Sequence, residues 1–243
     1  MSSRMRGNWR KLWIILFITM VPHGIFAQDL EAKLAQRADF TPSAASVREQ
    51  LVQVAQHYKI PMGIEWVLQP EKEPSKPIAG STVMTLLNSI LQSASNYSIT
   101  VRNGVVNVSD SRYATDSRNF LNLWIGEFSL SKANVFAASA ELRFKIHRIL
   151  HPERFVGGST QGYGYGVPDE HGLDVRNISF SAKDSTVRDI LDLIVVANGN
   201  TLWLVNIAPS RMMKSEPFFA QFDADQENGF SWKIIPFSKI NSE

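Results

Sequence analysis

Two stretches of the chain repeat one pattern. "STVMTLLNSIL" begins at Ser81 and "STVRDILDLIV" begins at Ser185, 104 residues later. In each copy a hydroxyl stands where it can cap a helix, and apolar residues then recur at three- and four-residue intervals. The copies and the segments that follow them share seven identities in 21 positions, where chance gives about one or two. We therefore predict two related units of helix and strand.

The sequence around the first copy predicts the order helix, strand, helix, strand, strand. In "AASVREQLVQVAQHYK" one helical stripe carries Val47, Leu51, Val54, Ala55 and Tyr58. "IPMGIEWVL" follows as a strand, and the capped helix of the first copy comes next. Asn103 and Gly104 then separate "YSITVR" from "VVNVS", which predicts a tight hairpin because both turn positions tolerate positive φ.

The second half offers similar elements. "LNLWIGEFSL" reads as a strand, and Pro152 ends a helix whose shared face holds Val135, Leu142, Ile146, Ile149 and Leu150. A glycine-rich passage precedes strand-like "LDVRNISFSA", the second copy and "TLWLVNI". The predicted fold class is therefore α+β, with two small two-layer modules. In each, two helices pack on one face of a separate short-stranded sheet.

The predicted organisation has six parts. They are a signal peptide (1–27), a lead-in (28–42), the first module (43–110), a linker (111–120), the second module with its glycine-rich loop (121–210) and an aromatic tail (211–243).

The N-terminus has the layout of a secretory signal. Four basic residues precede the apolar stretch Leu12–Val21, which is about half the roughly 20 residues that cross a bilayer. We expect cleavage after Ala27, export to the periplasm, and a mature chain that does not span the membrane. A secreted protein and an uncleaved signal anchor remain open.

Charge and cysteine content exclude several classes of function. Without residues 1–27 the chain has 21 basic and 23 acidic residues and no run of Lys and Arg. This balance gives little reason to expect nucleic acid or anionic lipid as a partner. Because cysteine is absent, disulfides, thiolate metal sites and cysteine catalysis are excluded. No cofactor is predicted.

Residues Ser43 to Asp110 resemble the secretin and TonB short N-terminal domain, and the second module (121–210) resembles it more distantly. The likeness lies in the first helical stripe, the strand Ile64 to Val67, the helix of Val83, Leu86, Leu87 and Leu91, and the hairpin through Asn103 and Gly104. The resemblance implies a small two-layer fold that docks to other proteins in the periplasm. No plug, barrel strands or secretin pore segment follows in this chain, so only the docking role is implied.

One motif suggests catalysis. "SLSK" places Ser129 and Lys132 in the S-x-x-K pattern of penicillin-recognising serine enzymes. The companion triplets K-T-G and S-D-N are absent from the sequence. A strand end followed by a helix start explains the pattern, and we predict no catalytic residue.

A histidine pair suggests metal binding. His147 and His151 are four residues apart, a helical spacing that can chelate zinc, and a third ligand would have to come from Glu153, Glu170 or His171. A solvated histidine pair is the simpler interpretation, and we predict no metal.

Four aromatic residues are candidates for partner contacts. Tyr163 and Tyr165 lie in the glycine-rich passage and could present two amphipathic rings. Trp203 belongs to "LWLV", either a core strand or an edge that a partner or a second copy extends. Trp232 belongs to an apolar tail that we expect to pack back onto the second module or to occupy a neighbour.

Three functions remain open from the sequence. The first is a non-enzymatic interaction module that binds other envelope proteins, with self-association through sheet edges as a further expectation. The second is a binder of a small envelope ligand or glycan through Trp124, Tyr163 or Trp203. The third is an envelope serine enzyme acting through Ser129 and Lys132.

Overall fold

The computed structural model describes residues 23–68, 81–117, 119–150, 152, 176–199, 201–207 and 230–237. Its helices are α1 (His23–Ala35), α2 (Val47–Tyr58), α3 (Val83–Leu91), α4 (Val135–Leu150) and α5 (Val187–Asn198), and a 3-10 turn spans Phe120–Asn122. Its strands are β1 (Met62–Val67), β2 (Tyr97–Arg102), β3 (Val105–Asp110), β4 (Trp124–Ala133), β5 (Ile178–Thr186), β6 (Thr201–Ile207) and β7 (Phe230–Pro236).

Strands from both halves of the chain form one five-stranded sheet. Its order is β2-β3-β1-β6-β7, and β1 runs parallel to both β3 and β6. The hairpin pairs β2–β3 and β6–β7 are antiparallel. The remaining strands, β4 and β5, form a separate antiparallel ribbon.

The α+β class is confirmed, but the expectation of two separate small sheets is wrong. β1 pairs with β6 along its whole length, from Met62 opposite Leu202 to Val67 opposite Ile207. All six residues of β1 and nearly all of β6 are buried. Strands of this kind need cover on both faces, and a shared sheet supplies it because each half contributes helices to a different face.

The two faces bury different sets of side chains. Met62, Ile64 and Trp66 of β1 pack with α1, α2 and α3. Val67 packs on the opposite face, which α4 and α5 cover and which also holds Trp203, Trp232 and Ile234. The period-2 alternation of a strand therefore divides β1 between two hydrophobic cores.

Hydroxyl caps start the helices of both repeated phrases, as predicted. Thr82 accepts a hydrogen bond from the backbone N–H of Thr85, and Thr186 accepts one from Asp189, each at 3.2 Å. The Asp189 carboxylate also accepts from the backbone N–H of Thr186, which completes a capping box. The predicted hairpin turn is confirmed as well, with φ of 53° at Asn103 and 78° at Gly104.

The sequence did not predict α1, which spans the expected cleavage site. Leu30 and Leu34, both beyond Ala27, are buried in the core beside α3. A mature chain beginning at Gln28 would therefore keep both of these core residues.

The C-terminal tail folds back in its described part. β7 pairs with β6 over seven residues, and Phe237 is fully buried on the α1–α3 face. The Lys59 ammonium lies 5.4 Å from the centre of the Phe237 ring, within the range of a cation–π contact. The expected back-packing of the tail is therefore confirmed for residues 230–237.

Candidate interaction surface

A groove of about 420 Å³ runs between the N-terminal half of α2 and strands β6 and β7. We call it the α2–β7 groove. Its lining residues are Ala44, Arg48, Glu49, Val52, Gln53, Leu204, Asn206, Lys233 and Ile235.

Strand register explains the floor of the groove. Leu204 lies opposite Lys233 in the β6–β7 pair, and Ile235 is two positions beyond Lys233 on β7. These side chains share one face because residues paired across strands, and residues two apart along a strand, point the same way. Helix α2 packs over β1 and β6, and the Lys233 side chain on β7 remains exposed.

Hydrogen-bond donors dominate the walls. Arg48 donates from Nη1 to Oδ1 of Asn206 over 2.9 Å, which holds its guanidinium above the sheet. Gln53 uses Oε1 to accept from the backbone N–H groups of Ser43 and Ala44 at 3.0 and 3.2 Å. Its side-chain amide nitrogen, the other guanidinium N–H groups and the Lys233 ammonium are all donors. Glu49 is the acidic residue among those lining the groove.

The groove adjoins an edge of the sheet. Among the described strands, β7 is the outermost on this side. An outer strand presents backbone N–H and C=O groups to which another extended chain can pair. Lys233 and Pro236 on β7 are residue types that discourage indiscriminate pairing at an edge.

The opposite edge differs in chemistry. β2 is outermost there among the described strands, and the Val101 side chain is 49% exposed. Arg102 of β2 is tied inward, 3.3 Å from Asp189 and 3.2 Å from Asp192 of α5. No residue of β2 lines the α2–β7 groove.

A buried ion pair joins Glu65 of β1 to Arg188 in the first turn of α5. Glu65 of β1 is fully buried and accepts from Arg188 Nη2 over 2.7 Å and from Asn119 Nδ2 over 2.5 Å. Burial raises the pKa of Glu65, and the neighbouring Arg188 opposes this shift without cancelling it. Phe120 and Leu121, which follow Asn119 in the chain, are also buried, and Phe120 is the last residue of the predicted linker.

A second buried carboxylate ties α5 to the sheet. Asp192 accepts hydrogen bonds from Trp203 Nε1 at 2.8 Å, Arg102 Nη2 at 3.2 Å and Asn107 Nδ2 at 3.3 Å. Burial raises the pKa of Asp192, while these donors oppose the shift. Glu65 and Asp192 are therefore both engaged by donors of the chain itself.

The structure places the catalytic candidates on the ribbon. Ser129 and Lys132 both lie on β4 and are exposed. The Ser129 hydroxyl lies 2.9 Å from the Ser181 hydroxyl across the ribbon. Lys132 donates its backbone N–H to Ser179 and has a φ of 50°, at an irregular point of the strand. Helix α4 begins at Val135, beyond the end of β4.

The histidine and tyrosine candidates lie mainly outside the described residues. His147 falls on α4, but its side chain is not described, and His151, Tyr163 and Tyr165 lie outside the described ranges. Within those ranges no group of three His, Cys, Asp or Glu residues could hold a metal ion.

The two tryptophan candidates prove to be core residues. Trp203 is fully buried, so its ring contacts Gly63 and Asp192 instead of a partner or a glycan. Trp232 is 5% exposed, and the Arg143 guanidinium lies 4.8 Å from its ring centre. Their proposed surface roles are corrected for two physical reasons: β6 is an inner strand completed by β7 of the same chain, and the Trp232 side chain lies on the face of β7 that α4 covers. Trp124, in contrast, is 56% exposed.

Comparisons with known proteins identified no relative of this chain. No family model, no curated protein and no solved structure matches this chain. In the described ranges, no helix is both long enough and apolar enough to cross a membrane.

Sequence reasoning missed the residues that form the groove. Arg48 and Lys233 are 185 positions apart, and no local pattern links them. Their proximity depends on β7 pairing with β6, which the apolar character of the tail only suggested. The buried pair had a weak signal, because Glu65 interrupts the otherwise apolar strand "IPMGIEWVL".

Proposed function

We propose that this chain is a non-enzymatic interaction module of the cell envelope, which binds an extended segment of another protein along β7 and the α2–β7 groove. The observation that carries the proposal is the combination of an outermost strand with a groove on its flank. Backbone pairing at such an edge supplies affinity, and the groove can select alternate side chains of the added strand.

The chemistry of the carboxylates also supports a binding role. Glu65 and Asp192 have raised pKa values, a property common among catalytic acids and bases. Both are enclosed and bonded to side chains of the chain. An internal structural role accounts for them, and the groove contains neither.

Export is part of the proposal. The basic and apolar N-terminus and the resemblance of residues 43–110 to a periplasmic docking domain support it. We expect the mature chain to begin at Gln28 and to accumulate in the periplasm. Mass spectrometry of the protein from fractionated cells tests this, and an unprocessed chain in the cytoplasmic fraction would contradict it.

Site-specific photo-crosslinking tests the binding role. A photoreactive amino acid replaces Lys233 in the groove or, as a matched control, the exposed Lys183 of the β4–β5 ribbon. In cells that make the protein naturally, we expect one discrete adduct from position 233 and none from position 183. Peptide mapping should place the crosslink in a segment of the partner protein that belongs to no helix or sheet of that protein. Equal adducts at both positions, or adducts at 183 alone, would contradict the proposed surface.

A further inference from the structure

The charges in the α2–β7 groove constrain the kind of segment it can accept. Arg48 and Lys233 are cationic, and Gln53 keeps an amide N–H donor after its oxygen is used by the backbone of residues 43 and 44. Glu49 is the acidic side chain of the lining. Donors and positive charge therefore outnumber acceptors and negative charge, which complements a carboxylate.

The two cations converge on one place along the strands. Arg48 bonds Asn206, whose register partner on β7 is Ser231. Lys233 is the next residue of β7 on the same face. Diagonal neighbours of this kind lie about 7–8 Å apart, within reach of long side chains. One carboxylate entering the groove at this level can thus meet both cations.

The neighbouring position on the same face is apolar. Ile235 is two residues beyond Lys233 on β7 and packs at the margin of the core. In a strand added to β7, side chains two residues apart would stand opposite Lys233 and Ile235. An acidic residue and an apolar residue, separated by one residue, fit these two positions.

We propose that the α2–β7 groove recognises an extended protein segment in which an acidic residue and an apolar residue are two positions apart. The carboxylate binds Lys233 and Arg48, and the apolar side chain covers Ile235. This inference rests on the proposed function and adds the side-chain specificity of the partner.

Two synthetic probes isolate the acidic requirement. The first is the fluorescein-labelled peptide TVTETVTVT, in which one face carries glutamate between valines, and the second is its twin TVTQTVTVT. Fluorescence anisotropy with the mature chain should show about fivefold tighter binding of the glutamate peptide, the combined effect expected of two solvent-accessible ion pairs, with Lys233 and with Arg48. The preference should shrink at about 0.5 M salt, where the Debye length is about 4 Å, because salt screens such pairs.

Matched charge reversals locate the effect. Lys233→Glu should abolish the preference for the glutamate peptide, and Lys183→Glu should leave it unchanged, since Lys183 is exposed on the ribbon. Melting temperatures near that of the unmodified chain confirm that both variants fold. Equal effects of the two reversals would overturn the proposal.

The remaining outcomes separate the two hypotheses. If both peptides bind equally, the acidic specificity is wrong and the binding role of the groove survives. If neither peptide binds, the proposed surface itself fails. Residues 216–227 of this chain contain four acidic residues. If a peptide copying them displaces the probe at lower concentration than unlabelled probe does, the occupant is this segment of the chain itself, which also overturns the proposal.

Discussion

The indole of Trp203 occupies the space that a β-carbon on Gly63 would fill. The two residues are register partners on the parallel strands β1 and β6. Their contact lies at the junction between the halves of the chain, where Trp203 also donates to Asp192 of α5. A glycine at this position lets strand and ring approach closely.

Replacing Gly63 with alanine should therefore destabilise the protein. The added methyl group overlaps the Trp203 ring, and overpacking of this kind costs about 1–3 kcal/mol of unfolding free energy. Urea denaturation measures the loss. In a Trp203→Leu background the same substitution should cost less, and an equal cost in both backgrounds would contradict the described contact.

The buried pair Glu65–Arg188 should show strong coupling. Glu65→Met leaves the Arg188 charge buried without its partner, which we expect to cost about 3–5 kcal/mol. The double variant Glu65→Met, Arg188→Met replaces the pair with apolar side chains and should lose much less. Asn119 keeps a partner in both variants, because it also donates to the backbone oxygen of Tyr113. A double variant whose loss equals the sum of the losses of Glu65→Met and Arg188→Met, each measured alone, would argue against the pair.

Asp192 should give stability a specific dependence on pH. Burial raises its pKa in the folded state, so the folded chain binds a proton at pH values where the unfolded chain is still ionised. The stability that Asp192 adds by binding this proton is fully present below the pKa of the group in the unfolded chain. It is lost as the pH rises through the pKa of the group in the folded chain. As the pH falls from 7 to about 4, the wild type should therefore gain unfolding free energy relative to Asp192→Asn. Chemical denaturation across this range checks the sign, and a shift the other way would refute it.

The tail should be part of the stable fold. Phe237 is fully buried against the α1–α3 core, and Phe237→Ala should cost about 3–5 kcal/mol. Val101→Ala, at a half-exposed position of β2, should have little effect in the same thermal or urea experiment. Similar small losses in both variants would mean that the tail does not pack as described.

Local patterns predicted the elements well. The five apolar residues of the first stripe, from Val47 to Tyr58, are all buried on α2. In the second half, α4 ends at Leu150, two residues before Pro152. Val135, Leu142 and Ile146 are buried as expected, but Ile149, placed on the same face, is 38% exposed. Helix periodicity, caps and the Asn-Gly turn act between residues close in sequence, and a single sequence reveals them.

The joining of the halves could not be predicted in this way. The repeat aligns Val101 with Val205, yet Val101 is half exposed on an outer strand and Val205 is fully buried on an inner strand. The two positions differ because β6 has β1 on one side and β7 on the other. Such pairing joins residues far apart in sequence, and apolar spacing alone does not specify which strands meet. The groove depends on the same pairing and was missed for the same reason.

Amide hydrogen exchange of β7 with and without the glutamate peptide tests the central claim most directly. If the peptide adds to the sheet at the α2–β7 groove, amides of residues 230–235 and 237 should exchange more slowly in its presence, while those of β2 and the β4–β5 ribbon keep their rates. Slower exchange confined to β2 or the ribbon, or unchanged exchange everywhere at a saturating peptide concentration, would contradict the account.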